Sequence, residues 1–291
     1  MDAGSTRCRS RSQRVLLGRA ALWLSRAGSG VLFYPRAMTA DPSLHVANHG
    51  PIQVLTMNRP KSKNAFNIEL ATRIQDALKL AAESEDVRVV ILTGAGSAFS
   101  AGADVSLFAA MAAGPAPEVK IVDALPHSIR AFPKPIFAAV QGVAVGMAVT
   151  MLPFFDCVYV SDRASFMLPF VRLGLVQEFG SSQALSALIG KSRMAEMLLT
   201  ARNIDAATAE RWGLATRVFE AENLLDEVIA VASDVLLGTP TAVLDAKRLL
   251  NFGADATFED ALAAEDEVLA RRYGCEENLA AVSAFLSRKK S

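Results

Sequence analysis

Two apolar runs that end in glycine-bearing turns hold the residues best placed for chemistry. The first is Ile136–Thr150, IFAAVQGVAVGMAVT. It runs apolar into Gln141-Gly142, passes Gly146 and turns helical toward Thr150, which reads as a buried strand, a tight turn and the first turn of a helix. The opening amides of a helix have no carbonyl partner within it, and the positive end of its dipole lies there. Such a turn aims N–H groups at developing negative charge. A bare amide pair of this kind stabilises an enolate or oxyanion, an effect of about 3–4 kcal/mol for one donor. The second run is Val87–Thr93, VRVVILT, followed by Gly94-Ala95-Gly96 and then AFSAGAD over 98–104. It too ends at a helix start, with Asp104 as N-cap.

Other side chains offer less. His45, His49 and His127 form no metal-ligand pattern and read as surface or strand-edge residues. Cys8, Cys157 and Cys275 are widely separated and odd in number, so neither a disulfide framework nor a zinc site is expected, which fits a reducing compartment.

The elements that must position these turns follow from the pattern. Two β-rich runs from Leu44 to Met57 flank Asn48-His49-Gly50-Pro51, a hairpin signal. Asn67 caps a helix through about Ala82, with Leu70, Ile74, Leu78 and Ala81 on one face. Val119–Ala131 reads as one helix, and Asp156–Ser161 and Ala164–Met167 read as strands. Pro169–Gly180 is a loop containing Glu178; Ser181–Ile189, Ser192–Leu199 and Ala206–Trp212 are helical, and a short strand closes at Val218. From Asn223 to Ser287 the pattern is helical throughout, broken at Gly238-Thr239-Pro240, Gly253 and Tyr273-Gly274. Strands alternate with helices first and helices alone follow, an α/β chain with a helical C-terminal region.

Ile136–Phe155 is an uncharged run of bilayer-spanning length. Gln141, its glycines, Pro153 and immediate closure by Asp156 favour a buried strand and helix over a membrane span. Of 291 residues, 52% are hydrophobic and 21% charged, enough for a large aliphatic core. The formal net charge is zero but unevenly spread, with seven arginines and one acid in residues 1–37. That segment matches a mitochondrial transit peptide, or else a leader wrongly joined to a chain that begins at Met38. The compartment is the mitochondrial matrix in the first case and the cytoplasm in the second. No basic patch with interleaved aromatics occurs in the body, so nucleic acid is not an expected partner.

Five segments together carry a family resemblance: NRPKSKNAFN (58–67), AFSAGADV (98–105), KPIFAAVQGVAVGMAVT (134–150), DCVYVSDRASFMLPFVRLGL (156–175) and AVSAFLSRKK (281–290). In this order they resemble the crotonase, or enoyl-CoA hydratase/isomerase, superfamily over about residues 44–290. The resemblance implies a spiral of ββα units over 38–237, with a C-terminal helical trimerisation region over 238–291. It also implies homotrimers or dimers of trimers and an acyl-CoA thioester substrate, with no metal and no cofactor beyond the coenzyme A of the substrate. By the same resemblance the amides of Ser100 and Met147 hold the thioester oxygen. Lys63, Ala65, Ala98 and Ala101-Gly102-Ala103-Asp104-Val105 line the coenzyme A path, with Gly146 and Phe170 completing the substrate site.

The departures from the family pattern decide the activity expected. The two glutamates that place water in hydratases would fall at Thr150 and Phe170, and neither residue does acid–base work near neutral pH. One acid remains nearby, Glu178, in LGLVQEFGSS over 173–182. This resembles the peroxisomal-type Δ3,Δ2-enoyl-CoA isomerases, which carry a single glutamate there. A lone carboxylate suits that reaction, which removes a proton at C2 and delivers one at C4. With Phe179 beside it and Leu175 and Phe170 near, Glu178 should be partly desolvated and its pKa raised. The alternatives are another crotonase enzyme, such as a hydratase or thioesterase, or a non-catalytic acyl-CoA-binding module.

Overall fold

The computed structural model describes residues 42–114 and 118–288. The leader over 1–37, and with it Cys8, lies outside the described residues.

Strands β1 (Leu44–His49) and β2 (Ile52–Met57) form the hairpin that Asn48–Pro51 signals, with Leu44 opposite Met57 and His49 opposite Ile52. Helix α1 (Ile68–Glu83) starts where Asn67 accepts a hydrogen bond from the Leu70 amide at 2.9 Å, and it buries Leu70, Ile74, Leu78 and Ala81.

Six strands make the main sheet, in the order β1-β2-β3-β5-β7-β10, where β3 is Val89–Gly94, β5 Ile136–Val140, β7 Cys157–Ser161 and β10 Arg217–Phe219. All pairs after the hairpin are parallel. Side chains alternate between faces with period two. Val90, Leu92, Ala138, Val140, Val158 and Val160 point into the larger core, while Val89, Ile91, Phe137, Ala139 and Tyr159 point to the opposite face. There Leu224, Val228 and Ala232 of a helix (α9, Leu224–Val235) cover them. Burial on both faces explains why these strands read as unbroken apolar runs.

Three main-sheet strands continue through a short turn into a second, four-stranded sheet. Thus β3 leads to β4 (Ala98–Ser100), β5 to β6 (Val143–Val145) and β7 to β8 (Ser165–Met167), with β9 (Ile204–Asp205) antiparallel at the edge. Helices α2 (Val105–Ala113), α3 (Val119–Asp123) and α4 (Leu125–Ala131) follow the first of these pairs, and α5 (Met147–Thr150) follows the second. After the third come α6 (Ser181–Ile189), α7 (Lys191–Thr200) and α8 (Ala206–Trp212). This is the spiral of ββα units that the family resemblance implies.

The structure corrects two expectations. Ile136–Thr150 is not strand, turn and helix alone; β6 intervenes, too short to show a period of its own. Residues 119–131 form two helices meeting at Ala124, because Pro126 has no N–H to give and its ring crowds the preceding turn.

The C-terminal region is helical as expected: α10 (Pro240–Gly253), α11 (Phe258–Arg272) and α12 (Glu276–Arg288). Lys247 ties α10 to the sheet. Its buried Nζ donates to the Lys134 carbonyl at 2.7 Å and to Asp156 Oδ2 at 2.8 Å. Asp156 Oδ2 in turn accepts from the Ile136 amide at the head of β5. No single described helix is long and apolar enough to cross a membrane.

Candidate active site

The two turns singled out from the sequence are neighbours because β4 and β6 pair in parallel, with Ser100 opposite Ala144. Ser100 ends β4, and Met147 opens α5 just beyond β6. Both are fully buried. Gly102 has φ +86°, and a Cβ built on it would lie 2.5 Å from the Val145 carbonyl oxygen and 3.5 Å from the Met147 nitrogen. Only glycine lets the AGAD loop lie this close to the second turn. Helix α5 is four residues long. Its macrodipole is therefore small, and with the Val149 and Thr150 amides donating to the Gly146 carbonyl, what it can offer is the N–H groups of Met147 and Ala148.

The loop that carries Lys63 and Ala65 is laced to this AGAD segment. The Ala101 amide donates to the Lys63 carbonyl at 2.8 Å, the Phe66 amide to the Gly102 carbonyl at 2.8 Å, and the Asp104 amide to the Phe66 carbonyl at 2.9 Å. Phe66 and Ala103 thereby form a parallel bridge. Lys63 is exposed and left-handed (φ +48°), whereas Ala65 and Ala98 are buried. Asp104 caps as expected, accepting from the Ser106 amide at 3.0 Å, and it also pairs with Arg59 at 2.9 Å. Burial pushes its carboxyl up, but the bonds from Ser106 and Arg59 outweigh that and hold it below the usual range. Arg59 also donates to the Ala65 carbonyl, joining both sides of the loop. Val105, at the start of α2, is 79% exposed.

At the far side of the turn, the buried ring of Phe170 reaches within 3.9 Å of where a side chain on Gly146 would begin. Thr150, at the other hydratase position, is fully buried and donates its hydroxyl back to the Met147 carbonyl. Glu178 lies on the loop beyond Phe170, and its carbonyl accepts from the Ser181 amide. Two successive left-handed residues, Phe179 (φ +56°) and Gly180 (φ +68°), swing the chain from Glu178 into α6. That helix packs on the 3-10 turn Leu152–Phe154 that continues α5. Phe179 packs on the core, but Leu175 is 42% exposed and contributes little to drying the acid.

Glu178 is half-buried, and its carboxyl is pushed up to about 7, by burial first and by the charge of Asp123 second. Asp123, the last residue of α3, is itself pushed up by partial burial. Sequence reading missed Asp123, since nothing in a short amphipathic helix marks which distant loop it faces. It also missed Ser181, whose buried hydroxyl has no hydrogen-bond partner among the described residues. No group of three or more His, Cys, Asp or Glu side chains among the described residues is arranged to hold a metal ion. A cavity of about 380 Å³ lies among α10–α12, lined by Asp245, Leu249, Val268, Arg272 and Cys275 among others; it shares no residue with these turns.

The two glycine-bearing turns are brought together by the pairing of β4 with β6, and the loop over 63–66 is laced to one of them. Residues 47–291 match the enoyl-CoA hydratase/isomerase family model, and the chain belongs to that family. The human enoyl-CoA delta isomerase 2 is 34% identical over 259 residues, which is 87% of this chain and 66% of that protein. The short-chain-enoyl-CoA hydratase of Clostridium acetobutylicum is 32% identical over 243 residues, 83% of this chain and 93% of its own. Among solved structures, an enoyl-CoA hydratase from Bacillus anthracis superposes with a TM-score of 0.80 at 26% identity, covering 84% of this chain and 96% of that one. Enzymes of the family act on CoA thioesters without a metal or further cofactor.

Proposed function

We propose that this enzyme is a Δ3,Δ2-enoyl-CoA isomerase of fatty-acid β-oxidation, converting 3-enoyl-CoA to trans-2-enoyl-CoA. The observation that carries the reading is Glu178, a half-buried carboxyl pushed up to about 7, in a chain whose two hydratase positions hold Thr150 and Phe170. A carboxyl at that pKa both takes and returns a proton near neutrality. As carboxylate it removes a proton from C2; the C–H electron pair moves into the C2–C1 bond and the thioester oxygen gains the charge. The amides of Ser100 and Met147 hold that oxygen. The thioester carbonyl then re-forms, the C1=C2 pair moves to C2=C3, and the C3=C4 π pair takes the proton from Glu178 at C4 as that double bond breaks, so no water and no co-reactant is consumed. Lys63, Ala65, Ala98 and Ala101–Val105 line the coenzyme A path, and Gly146 and Phe170 bound the acyl end. Leu250, Phe258 and Tyr273, each at least 73% exposed on or just after the C-terminal helices, support assembly into trimers or pairs of trimers.

Glu178→Gln tests the assignment. It should lower isomerisation of a 3-enoyl-CoA by about 10²–10⁴-fold, the usual contribution of a positioned acid–base group, while acyl-CoA binding by calorimetry persists. Wild-type turnover in that variant would remove Glu178 from the reaction. Oxygen from labelled water appearing in the product would move the assignment to a hydratase or thioesterase.

A further inference from the structure

Behind the candidate oxyanion turn lies a partly buried polar cluster that the reaction itself does not use. The carbonyl oxygen of Ala98, two residues before Ser100, accepts from Asn64 Nδ2 at 2.7 Å and from Gln141 Nε2 at 2.6 Å. Two side-chain donors fill both lone pairs of one carbonyl. Each donor is itself held from several sides. Asn64 is fully buried and left-handed (φ +54°); its Nδ2 also reaches the Ala95 carbonyl at 2.9 Å, and its Oδ1 accepts the Arg59 amide at 2.9 Å. Gln141 Nε2 also reaches the Gly94 carbonyl at 2.7 Å, and the Gln141 main-chain carbonyl accepts the Ser161 hydroxyl at 2.6 Å. A Cβ on Gly94 would come within 2.7 Å of both amide nitrogens and 2.5 Å of the Ala98 oxygen, so a glycine is required for the donors to close on it.

We infer that Asn64 and Gln141 are positioning residues that aim the Ser100 amide, by clamping the Ala98 carbonyl from two separate elements. The peptide is planar, so only two soft dihedrals per residue separate the clamped carbonyl from Ser100. The Phe99 ring is fully buried, and beyond Ser100 the Gly102 amide donates to its Oγ at 3.1 Å. The direction of the Ser100 N–H is thus set from both sides. Asn64 comes from the loop after β2 and Gln141 from the turn after β5, the turn that also leads to Met147. One glutamine side chain therefore sets the spacing between the two turns that supply the oxyanion donors. A preorganised donor needs no reorganisation as charge develops, and small misplacements cost rate rather than affinity.

The inference rests on the isomerase reading of the Ser100 and Met147 amides, and the test separates the two. The variants are Gln141→Met, which keeps volume and removes the donor, and Asn64→Gly, which keeps the left-handed backbone. The probe is 2,4-hexadienoyl-CoA, whose absorption moves to the red when its thioester carbonyl is polarised. In wild type the bound probe should show a red shift. In each variant the shift should shrink and kcat on a 3-enoyl-CoA should fall about ten-fold, with KM held within about two-fold. A full red shift and wild-type kcat in Gln141→Met, accompanied only by a lower melting temperature, would reduce the clamp to scaffolding and overturn the inference while the oxyanion reading stands. A wild-type complex with no red shift would remove the oxyanion reading and the clamp with it. Gln141→Met leaves Asn64 in place on the carbonyl, so it decides the matter even if Asn64→Gly does not fold.

Discussion

Glu178 and Asp123 show how a residue-scale property depends on a partner distant in the chain. Burial and the Asp123 charge both disfavour the carboxylate, so the neutral form of Glu178 persists up to about pH 7. On the proposed reading Glu178 is the general base and must be ionised, so kcat/KM on a 3-enoyl-CoA should rise with pH through a limb near 7. Asp123→Asn removes a neighbouring negative charge, which makes ionisation of Glu178 easier. The limb should then move to lower pH. A pH–rate profile that stays in place in this variant would show that Asp123 does not act on the base.

At the scale of elements, the close approach of two turns controls the site. Gly102 meets two demands at once, a left-handed backbone and a carbonyl 2.5 Å from where a side chain would begin. Gly102→Ala should therefore cost at least about 2 kcal/mol of stability and weaken acyl-CoA binding. Gly174, at φ +68° with nothing within 4 Å of its would-be Cβ, supplies the control. Gly174→Ala should cost only about 1 kcal/mol, the left-handed penalty alone. Equal losses in the two variants, by thermal unfolding, would mean that the approach of the AGAD loop to Val145 carries no weight. Much of this element-scale arrangement was legible in the sequence. The hairpin at Asn48–Pro51, the Asn67 cap and the breaks of the C-terminal helices all lie where local chemistry places them, because caps, turns and glycines act within a few residues. β6 and the break at Ala124 were not, since strands of three residues carry no measurable period and the effect of Pro126 hides within an apolar helical pattern.

For the molecule as a whole, the attachment of the C-terminal helices is the sensitive point. Lys247 is 6% exposed, and burial lowers its pKa more than Asp156 raises it. The ion pair therefore does not fully offset the desolvation of the ammonium. Asp156→Asn leaves that ammonium buried with only the Lys134 carbonyl, and it should cost about 2–3 kcal/mol, below the range for fully dry pairs because Asp156 keeps some solvent. Lys247→Met keeps the apolar stem and removes the charge, so its cost should be smaller. Denaturant unfolding that ranks the two the other way would contradict this account. The outer faces of the same helices bear on assembly. Phe258 is 77% exposed, more apolar surface than a lone chain usually leaves beside Leu262 and Leu269. If the proposed trimer uses this face, Phe258→Asp should lower the mass found by light scattering to that of a single chain while the far-ultraviolet dichroism stays unchanged.

From the sequence alone came the fold class, the order of the motifs and the two glycine-bearing turns. These follow from local periodicity, from glycine and capping residues, and from motifs that are contiguous in the chain. Tertiary structure alone decided that Asp123 raises the pKa of Glu178, that Gly102 abuts Val145, and that Asn64 and Gln141 meet on one carbonyl. Parallel strands bring together residues tens of positions apart, and no local pattern records which of them will touch.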